Sequence, residues 1–311
     1  MINYMNIVPG RYVVAVSGGI DSVVLLDMLV NQASKTVLPN LELIVAHFDH
    51  GMREDSAEDA EFVGELAKIY GLPFETERVE LGSDASEAQA REARYDFLKR
   101  VQQKHIAAAI ITAHHQDDLL ETSIINMLRG TGHRGLHSLK SRDELLRPLL
   151  HLKKVDIVEY AKEHKLQWRE DSTNQDTKFL RNKIRLDVVP RGDAEWRQKM
   201  LGHIEKASTV GAKLDREIGA LLTHALRNGQ IALSRSWFVK LPHVIAGEVI
   251  VALLRKLRVA DVDKHLVERL TLQIKTARPG KKLDINKDHY VLMTKRSARV
   301  MNRQTHKTVR V

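Results

Sequence analysis

A short polar segment, SGGIDS at residues 17–22, interrupts an apolar run that begins at Val13 and resumes up to Leu29. Glycines between a strand and a helix let backbone N–H groups approach an anion closely, and the helix N-terminus adds partial positive charge. The segment therefore predicts a phosphate-binding turn. It is neither a Walker-type P-loop, since no lysine follows, nor a G-x-G-x-x-G turn, since its glycines are adjacent. A tight turn with a Ser or Asp helix cap is the alternative explanation.

A second cluster, HHQDD at residues 114–118, is followed by Glu121. His114, Asp117, Asp118 and Glu121 stand at offsets of 0, 3, 4 and 7, so on one helix they share a face. Carboxylates on such a face suit Mg²⁺ or the ammonium group of a substrate. A zinc site is disfavoured because the H-E-x-x-H pattern is absent. Carboxylates that complement the helix dipole are the alternative, but that reading does not explain the two histidines.

Two weaker clusters accompany these. HFDHGMR, at residues 47–53, follows a predicted strand and combines two histidines with Asp49 and Arg53. Arg91 and Arg94 lie one helical turn apart, where either could bind a phosphate through two parallel hydrogen bonds. Solvated loop residues and an ordinary charged helix surface remain the alternatives for these two clusters.

The elements that must position these clusters alternate between strand and helix. Nearly all-apolar strands separated by amphipathic helices predict a doubly wound α/β fold, with a parallel sheet covered on both faces. Ligands of such sheets bind at the carboxyl ends of the strands. The polar clusters follow the first, second and fourth predicted strands. The predicted strands are 11–16, 41–49, 74–81 and 106–113, and the predicted helices are 21–32, 56–70, 86–105 and 117–130.

The length of 311 residues favours two domains. Pro190 and Gly192 mark the predicted boundary, which gives domains of 1–190 and 191–311. The second, smaller domain is predicted to be mainly helical, with a short β-like tail after residues 279–280.

Charge is distributed unevenly along the chain. Residues 1–150 carry 15 Lys and Arg against 22 Asp and Glu, whereas residues 151–311 carry 34 against 18. This asymmetry indicates chemistry in the first half and a polyanion, such as nucleic acid, bound largely by the second. A basic protein with solvated lysines is the alternative.

Cysteine is absent, which excludes disulfides, thiolate metal sites, iron–sulfur clusters and a cysteine nucleophile in this chain. No apolar stretch approaches the 18 or more residues of a membrane span, and the N-terminus does not resemble a signal peptide. We therefore expect a cytoplasmic protein without a membrane partner.

Seven motifs follow one another in a specific order across residues 13 to about 190. They are SGGIDS, HFDHGMR, EAQAREARYDFL, AHHQDDLLET, RGTGHRGL, RPLL followed by lysine, and WREDSTNQDTKFLRNKIR. In this order the chain resembles the tRNA(Ile)-lysidine synthetase family, whose first domain is a PP-loop ATP pyrophosphatase. The last motif is the most specific, since other pyrophosphatases of the class lack it.

The resemblance implies an activity. Members of that family use ATP and L-lysine to convert the wobble cytidine of a CAU-anticodon tRNA(Ile) to lysidine. The oxygen on carbon 2 of the cytidine attacks the α-phosphate and releases pyrophosphate, and the lysine ε-amine then displaces AMP. The implied partners are ATP, Mg²⁺, L-lysine and this tRNA, while a homodimer is left open. Longer members carry an additional C-terminal domain, which we do not expect in a chain of this length.

The resemblance also implies roles for individual residues. Pyrophosphate is expected to bind at Ser17, Gly18, Gly19, Ile20, Asp21 and Ser22, and Mg²⁺ at Asp21 and Asp118. Catalytic roles are expected for Asp21, Asp118, Arg94 and His114. Lysine or tRNA is expected to contact Asp118, Glu121, Asp171, Asn174, Arg181 and Arg185.

Three other functions compete with this one. A thiolating PP-loop enzyme that modifies tRNA commonly needs cysteines, which this chain lacks. A synthetase that adenylates a small molecule would leave the basic second half without a purpose. A non-catalytic RNA-binding protein would not need both the SGGIDS and the HHQDD clusters.

Overall fold

The structure is a computed structural model. It describes residues 7–34, 40–51, 56–80, 82, 87–129, 131, 133–136, 138–169, 180–225, 231–259 and 262–309. The chain divides into two compact units, Met1–Ile204 and Glu205–Val311. Within the described residues, no helix has both the length and the apolar character needed to cross a membrane.

A five-stranded parallel sheet forms the centre of the first unit. Its strands are β1 (Gly10–Ala15), β2 (Leu41–Asp49), β3 (Phe74–Arg78), β4 (Ala109–Ile111) and β5 (Leu145–Leu146). Their order across the sheet is β3-β2-β1-β4-β5, and each neighbouring pair is parallel. The chain runs outward from β1 to β3 and then returns to place β4 on the other side of β1. The direction of winding therefore reverses between β1 and β4, where ligands of doubly wound sheets bind.

Helices cover both faces of this sheet, which confirms the predicted fold class. They are α1 (Ile20–Ser34), α2 (Ser56–Ile69), α3 (Glu87–Lys104), α4 (Gln116–Leu128), α5 (His133–Leu136) and α6 (Lys154–Glu163). Successive strand residues point to opposite faces. Val14 accordingly packs in a core with Leu25 of α1 and Ile157 of α6. Its neighbour Val13 packs in a separate core with Phe97 of α3.

The third and fourth strands are shorter than predicted, and the fifth was not predicted. Strand β3 ends at Arg78, although its predicted limits are 74–81. The fourth strand was expected over 106–113, but β4 comprises only Ala109–Ile111. Ile106 is 85% exposed and has a φ of 51°, because it belongs to the turn that ends α3. The amide of Ala107 completes this turn by donating to the carbonyl of Gln102 at 2.9 Å. Strand β5, which is not among the predicted strands, has two residues and thus too little length to show a periodic pattern.

The segment after α6 ends the first unit with irregular helix. Helix α7 (Leu180–Lys183) continues into a π-helical turn, Ile184–Val188, and a 3₁₀ turn, Val189–Arg191. The long helix α8 (Ala194–Ala225) follows, and the division between the two units falls within it. Ile204 of α8 packs with Leu120 and Ile184 of the first unit, so this unit extends beyond Pro190 and Gly192. The domain limits of 1–190 and 191–311 remain a prediction.

The second unit combines helices with a four-stranded antiparallel sheet. The helices are α9 (Arg235–Lys240), α10 (His243–Lys256) and α11 (Lys264–Thr276), and the strands are β6 (Ala232–Ser234), β7 (Lys282–Asp284), β8 (His289–Met293) and β9 (Ser297–Asn302). Strand order is β6-β9-β8-β7. Phe238, Ile250 and Val291 are buried together in the core of this unit. The predicted β-like tail is therefore the larger part of a complete small sheet.

Candidate active site

The SGGIDS segment forms the turn between β1 and α1. Gly18 has a φ of +89°, a left-handed conformation that side-chain-bearing residues rarely adopt, which explains the glycine. The carbonyl of Val16, at the entry to the turn, accepts a hydrogen bond from Nδ1 of the buried His47 at 2.9 Å. Burial lowers the pKa of His47, so it serves as a neutral donor at the end of β2. His47 of the HFDHGMR motif thus supports the turn.

The two serines of the turn have different positions. Ser22 is buried, and its Oγ donates to the carbonyl of Gly19 at 2.8 Å while accepting from the amide of Ser17 at 3.2 Å. Ser17 is exposed, and its Oγ accepts a long hydrogen bond of 3.4 Å from the amide of Gly19. Ser22 therefore holds the shape of the turn, and Ser17 faces solvent. In the first turn of α1, the amides of Ser22 and Val23 donate to the carbonyl of Gly19 at 3.0 and 3.1 Å, whereas the amides of Ile20 and Asp21 precede the hydrogen bonds of the helix itself.

The side chain of His115 lies close to both carboxylates that are expected to bind metal, those of Asp21 and Asp118. Its Nε2 lies 3.7 Å from Oδ1 of Asp21 and 3.5 Å from Oδ2 of Asp118. Its Nδ1 accepts from the amide of Asp117 at 3.2 Å, so the ring proton is on Nε2 and faces both carboxylates. The N-terminus of α1 and that of α4 consequently meet at this ring, at the reversal point of the sheet. His115 is a site residue that the sequence reasoning did not assign, although it immediately precedes α4.

A lysine distant in sequence also contacts Asp21. Lys154 is the first residue of α6, and its Nζ lies 2.5 Å from Oδ1 of Asp21. No role is predicted for Lys154 from the sequence, in which a lysine follows the RPLL motif. The ammonium group of Lys154 therefore lies beside the SGGIDS turn, which itself contains no lysine.

Glu121 forms an ion pair with Arg185. Only 1% of the Glu121 side chain is exposed, and Nε and Nη2 of Arg185 donate to its two oxygens at 2.8 and 3.0 Å. Arg185 Nη2 also lies 3.3 Å from Oδ1 of Asp118. Burial raises the pKa of Glu121, while the hydrogen bonds and positive charge of Arg185 oppose that rise. The expected substrate residues Asp118, Glu121 and Arg185 thus form one network.

His114 lies in a positive environment. Burial lowers its pKa well below the ordinary value of 6.5, and four arginines lower it further. In order of effect these are Arg147, Arg94, Arg91 and Arg181. The Nδ1 of His114 is hydrogen-bonded to Thr112 Oγ1 at 2.8 Å. A neutral imidazole among arginines suits binding of an anion better than proton donation, because protonation would add a fifth positive charge.

The neutrality of His114 predicts a pH-dependent stability. Below pH 6.5 the unfolded chain protonates this histidine and the folded chain does not, so stability falls as the pH is lowered from 7 to 5. Relative to His114→Gln, the unmodified protein should lose up to about 2 kcal/mol more of its free energy of unfolding over this range. Urea unfolding at both pH values measures the difference. An equal loss in both proteins would contradict a neutral His114.

The expected site residues fall into two adjoining groups in the described part of the chain. Asp21, Asp118, Glu121 and Arg185 form one group with His115 and Lys154, and Arg94, His114 and Arg181 form the other with Arg91 and Arg147. Arg181 links the groups, since its positive charge acts on both His114 and Glu121. Asp171 and Asn174 lie outside the described residues. Among the residues that are described, no three or more His, Asp or Glu side chains are arranged to hold a metal ion by themselves.

Comparison with known proteins identifies the family to which the first unit belongs. Residues 3–192, more than half of the chain, match the family described as PP-loop domain. A curated tRNA(Ile)-lysidine synthase of Thermotoga sp. (strain RQ2) is 43% identical over 184 residues, which are 57% of this chain and 44% of that protein. The tRNA(Ile)-lysidine synthase of Clostridium tetani (strain Massachusetts / E88) is 32% identical over 216 residues, 67% of this chain and 45% of that protein. The matched region thus spans less than half the length of these relatives.

A solved structure shares the fold. The U34-tRNA thiolase of Methanococcus maripaludis, solved with its [4Fe-4S] cluster, has a TM-score of 0.54 at 16% identity. The similarity covers 66% of this chain and 73% of that one. At this identity the likeness supports the fold alone.

Proposed function

Because the chain belongs to the PP-loop domain family, we propose that it ligates L-lysine to carbon 2 of the wobble cytidine of a CAU-anticodon tRNA(Ile) at the expense of ATP. One observation carries the proposal. A turn suited to pyrophosphate, a carboxylate network suited to an ammonium group and an arginine group suited to a phosphate meet at the reversal point between β1 and β4. The tRNA(Ile)-lysidine synthases of 32–43% identity support the choice of substrate.

The first step makes the cytidine reactive. Oxygen 2 of the cytidine attacks the α-phosphorus, the bond to the bridging oxygen breaks, and pyrophosphate leaves with the electron pair. The amides at the start of α1 stabilise the negative charge that develops on pyrophosphate. Arg94, beside the neutral His114, neutralises the α-phosphate. The product is a cytidine adenylated at oxygen 2.

Mg²⁺ would be held by Asp21 and Asp118. The pair fits this ion, which is bound through one or two carboxylates together with substrate phosphates and water rather than by a complete protein cage. When bound, Mg²⁺ neutralises charge on the phosphates. Both carboxylates lie within 4 Å of the same imidazole nitrogen, Nε2 of His115, at 3.7 and 3.5 Å.

The second step joins lysine to the base. Its ε-amine attacks carbon 2 of the cytidine, the bond to oxygen 2 breaks, AMP leaves, and the amine loses its proton. Asp118 and Glu121 supply the negative charge that attracts the α-ammonium group of the substrate lysine. Arg185 and Arg181 supply the positive charge that attracts the carboxylate of the same lysine. The pairing of Glu121 with Arg185 holds both charges in place before lysine binds.

The second unit is proposed to bind the tRNA. Residues 205–311 carry 22 Lys and Arg against 9 Asp and Glu, a balance typical of contact with a phosphate backbone. The target cytidine must leave its stack to enter the pocket, as for other enzymes that modify bases. A thiolation reaction is disfavoured because the chain contains no cysteine.

A labelling experiment tests the proposal. The protein is incubated with ATP, Mg²⁺, labelled L-lysine and tRNA transcripts. We expect label to enter the CAU-anticodon tRNA(Ile) transcript, with one AMP released per lysine incorporated.

Two matched controls accompany it. A tRNA(Ile) transcript that differs only at the wobble base, and a methionine tRNA with the same anticodon, should both stay unlabelled. Equal labelling of the methionine tRNA, or no labelling of any transcript, would contradict the proposed function.

A further inference from the structure

Three carbonyl groups in the SGGIDS turn and at its entry accept hydrogen bonds. The carbonyl of Val16 accepts from His47, and that of Gly19 accepts from Ser22. The carbonyl of Gly18 accepts at 3.0 Å from the backbone amide of Arg169, in the segment that follows α6. The reaction proposed above does not use Arg169.

The peptide between Gly18 and Gly19 needs an external contact to fix its orientation. Neither glycine has a Cβ, so rotation of this peptide meets little steric resistance. In a planar trans peptide the carbonyl and the N–H point in opposite directions. The hydrogen bond from Arg169 therefore directs the Gly19 amide to the opposite side, where it donates a long hydrogen bond of 3.4 Å to Oγ of the exposed Ser17.

This orientation decides what the turn offers to an anion. As the peptide stands, the amide of Gly19 faces the side on which Ser17 is exposed, and a backbone N–H on that side attracts a phosphate. After rotation by half a turn, the carbonyl oxygen of Gly18 would lie on that side and repel the phosphate instead. The contact that fixes the peptide thus controls the electrostatics of the turn.

Helix α2 holds Arg169 in place. Nε of Arg169 lies 2.5 Å from Oδ1 of Asp59, and its Nη2 lies 2.8 Å from Oε2 of Glu58, both in the first turn of α2. The Asp59 side chain is 12% exposed, and partly buried ion pairs are screened much less than exposed ones. Trp168 and Phe62 of α2 also pack against the same core. The backbone amide that contacts the turn is therefore fixed from α2.

We propose that Arg169 is a positioning residue, which keeps the Gly18–Gly19 peptide in the orientation that directs the Gly19 amide toward pyrophosphate. Its side chain acts through the two ion pairs with α2, and its backbone amide acts on Gly18. The inference rests on the proposed cleavage of ATP between the α- and β-phosphates and on binding of pyrophosphate at this turn. It does not depend on the identity of the acceptor.

A spectroscopic measurement can observe this peptide by itself. Residues 18 and 19 are the only two consecutive glycines in the sequence. Cell-free synthesis with glycine labelled at the carbonyl carbon and the nitrogen therefore gives one cross-peak in a spectrum that correlates each amide with the preceding carbonyl. Pyrophosphate should shift the Gly19 amide proton of the unmodified full-length protein downfield, and AMP should shift it much less. A resonance that pyrophosphate leaves unmoved would overturn the proposal.

Arg169→Met tests the side chain. Without its two ion pairs the amide of residue 169 is no longer held against Gly18, so the cross-peak should broaden or split. Pyrophosphate affinity, measured by calorimetry, should fall about tenfold. Arg169→Lys keeps a cation for Asp59, so its pyrophosphate affinity should stay within about threefold of that of the unmodified protein. AMP lacks the β- and γ-phosphates, and its affinity should change less than about twofold in both variants.

Arg100 provides a matched control in the same unit. It also donates to a carboxylate, that of Glu77 at 2.5 and 2.7 Å, but from α3. Arg100→Met should leave both the cross-peak and the pyrophosphate affinity unchanged. Glu58→Gln is a milder variant, because it removes only the more exposed of the two ion pairs of Arg169. It should move the cross-peak in the same direction as Arg169→Met, but by less.

Four results would contradict the role of Arg169. They are normal pyrophosphate binding in Arg169→Met, a loss of affinity without a change in the cross-peak, an equal loss of AMP binding, and an unmoved cross-peak in Glu58→Gln. If the expected pattern is found but no tRNA is labelled with lysine, the role of Arg169 stands and the proposed acceptor is wrong. If tRNA is labelled but the pattern is not found, the proposed function stands without this role.

Discussion

Asp21→Asn should lower ATP-dependent AMP release by at least about 10²-fold while tRNA affinity stays within about twofold. The substitution preserves the shape of the side chain and removes its negative charge. Asp21 lies in the first turn of α1, 2.5 Å from Lys154 and 3.7 Å from His115, where the phosphates and the metal are proposed to bind. Loss of its charge removes a metal ligand and leaves Lys154 without its resting partner. Release of labelled AMP and filter binding of labelled tRNA measure the two effects.

Asp263→Asn is a suitable control for this substitution. Asp263 also stands at the start of a helix, where its Oδ1 accepts from the amide of Leu266 at 2.6 Å, but it belongs to the second unit. Asparagine caps helices about as well as aspartate, so this variant should release AMP normally. If Asp21→Asn also released AMP at the normal rate, Asp21 would have no part in the reaction. A parallel loss of tRNA binding would indicate misfolding instead.

Arg185→Met should both destabilise the first unit and abolish binding of lysine. The variant leaves the Glu121 carboxylate, which is 1% exposed, without the partner that holds both of its oxygens. Breaking a fully buried ion pair costs about 3–5 kcal/mol, and Arg185 is 35% exposed, so we expect a loss of about 2–3 kcal/mol. Denaturant unfolding at pH 8 measures the loss, and calorimetry measures lysine affinity.

The same substitution should make stability depend on pH in a defined direction. Without Arg185, burial raises the pKa of Glu121 further above that of the unfolded chain. The folded state then binds a proton that the unfolded state has released, so stability falls as the pH rises. The cost of Arg185→Met should therefore be smaller at pH 5 than at pH 8.

A double variant separates charge from packing. Glu121→Gln combined with Arg185→Met removes both charges, so most of the lost stability should return while lysine binding remains absent. If Arg185→Met unfolded at the same denaturant concentration as the unmodified protein at both pH values, the ion pair would make no net contribution. If the double variant were no more stable than Arg185→Met, the loss would come from packing rather than from the unpaired charge.

The sequence by itself determined the fold class of the first unit and the position of its polar clusters. Apolar strands such as 41–49 and helices such as 56–69 are visible because their patterns depend on neighbours two to four residues away. The rule that ligands bind where parallel strands end then brought SGGIDS and HHQDD to one edge of the sheet. Strand β5 was not predicted, because a strand of two residues is too short to show a periodic pattern of apolar residues.

Only the tertiary structure decided which charges are paired and which groups are neutral. Lys154 contacts Asp21 across 133 positions, and Arg185 contacts Glu121 across 64. Such pairs depend on the winding of the sheet and on the irregular helix at 180–191, and no local spacing encodes them. The neutral state of His114 likewise depends on burial and on arginines from several elements. The residue types along the chain therefore indicate which chemistry this site can perform. Which side chains form ion pairs, and which groups are neutral, depends on the contacts that the fold creates.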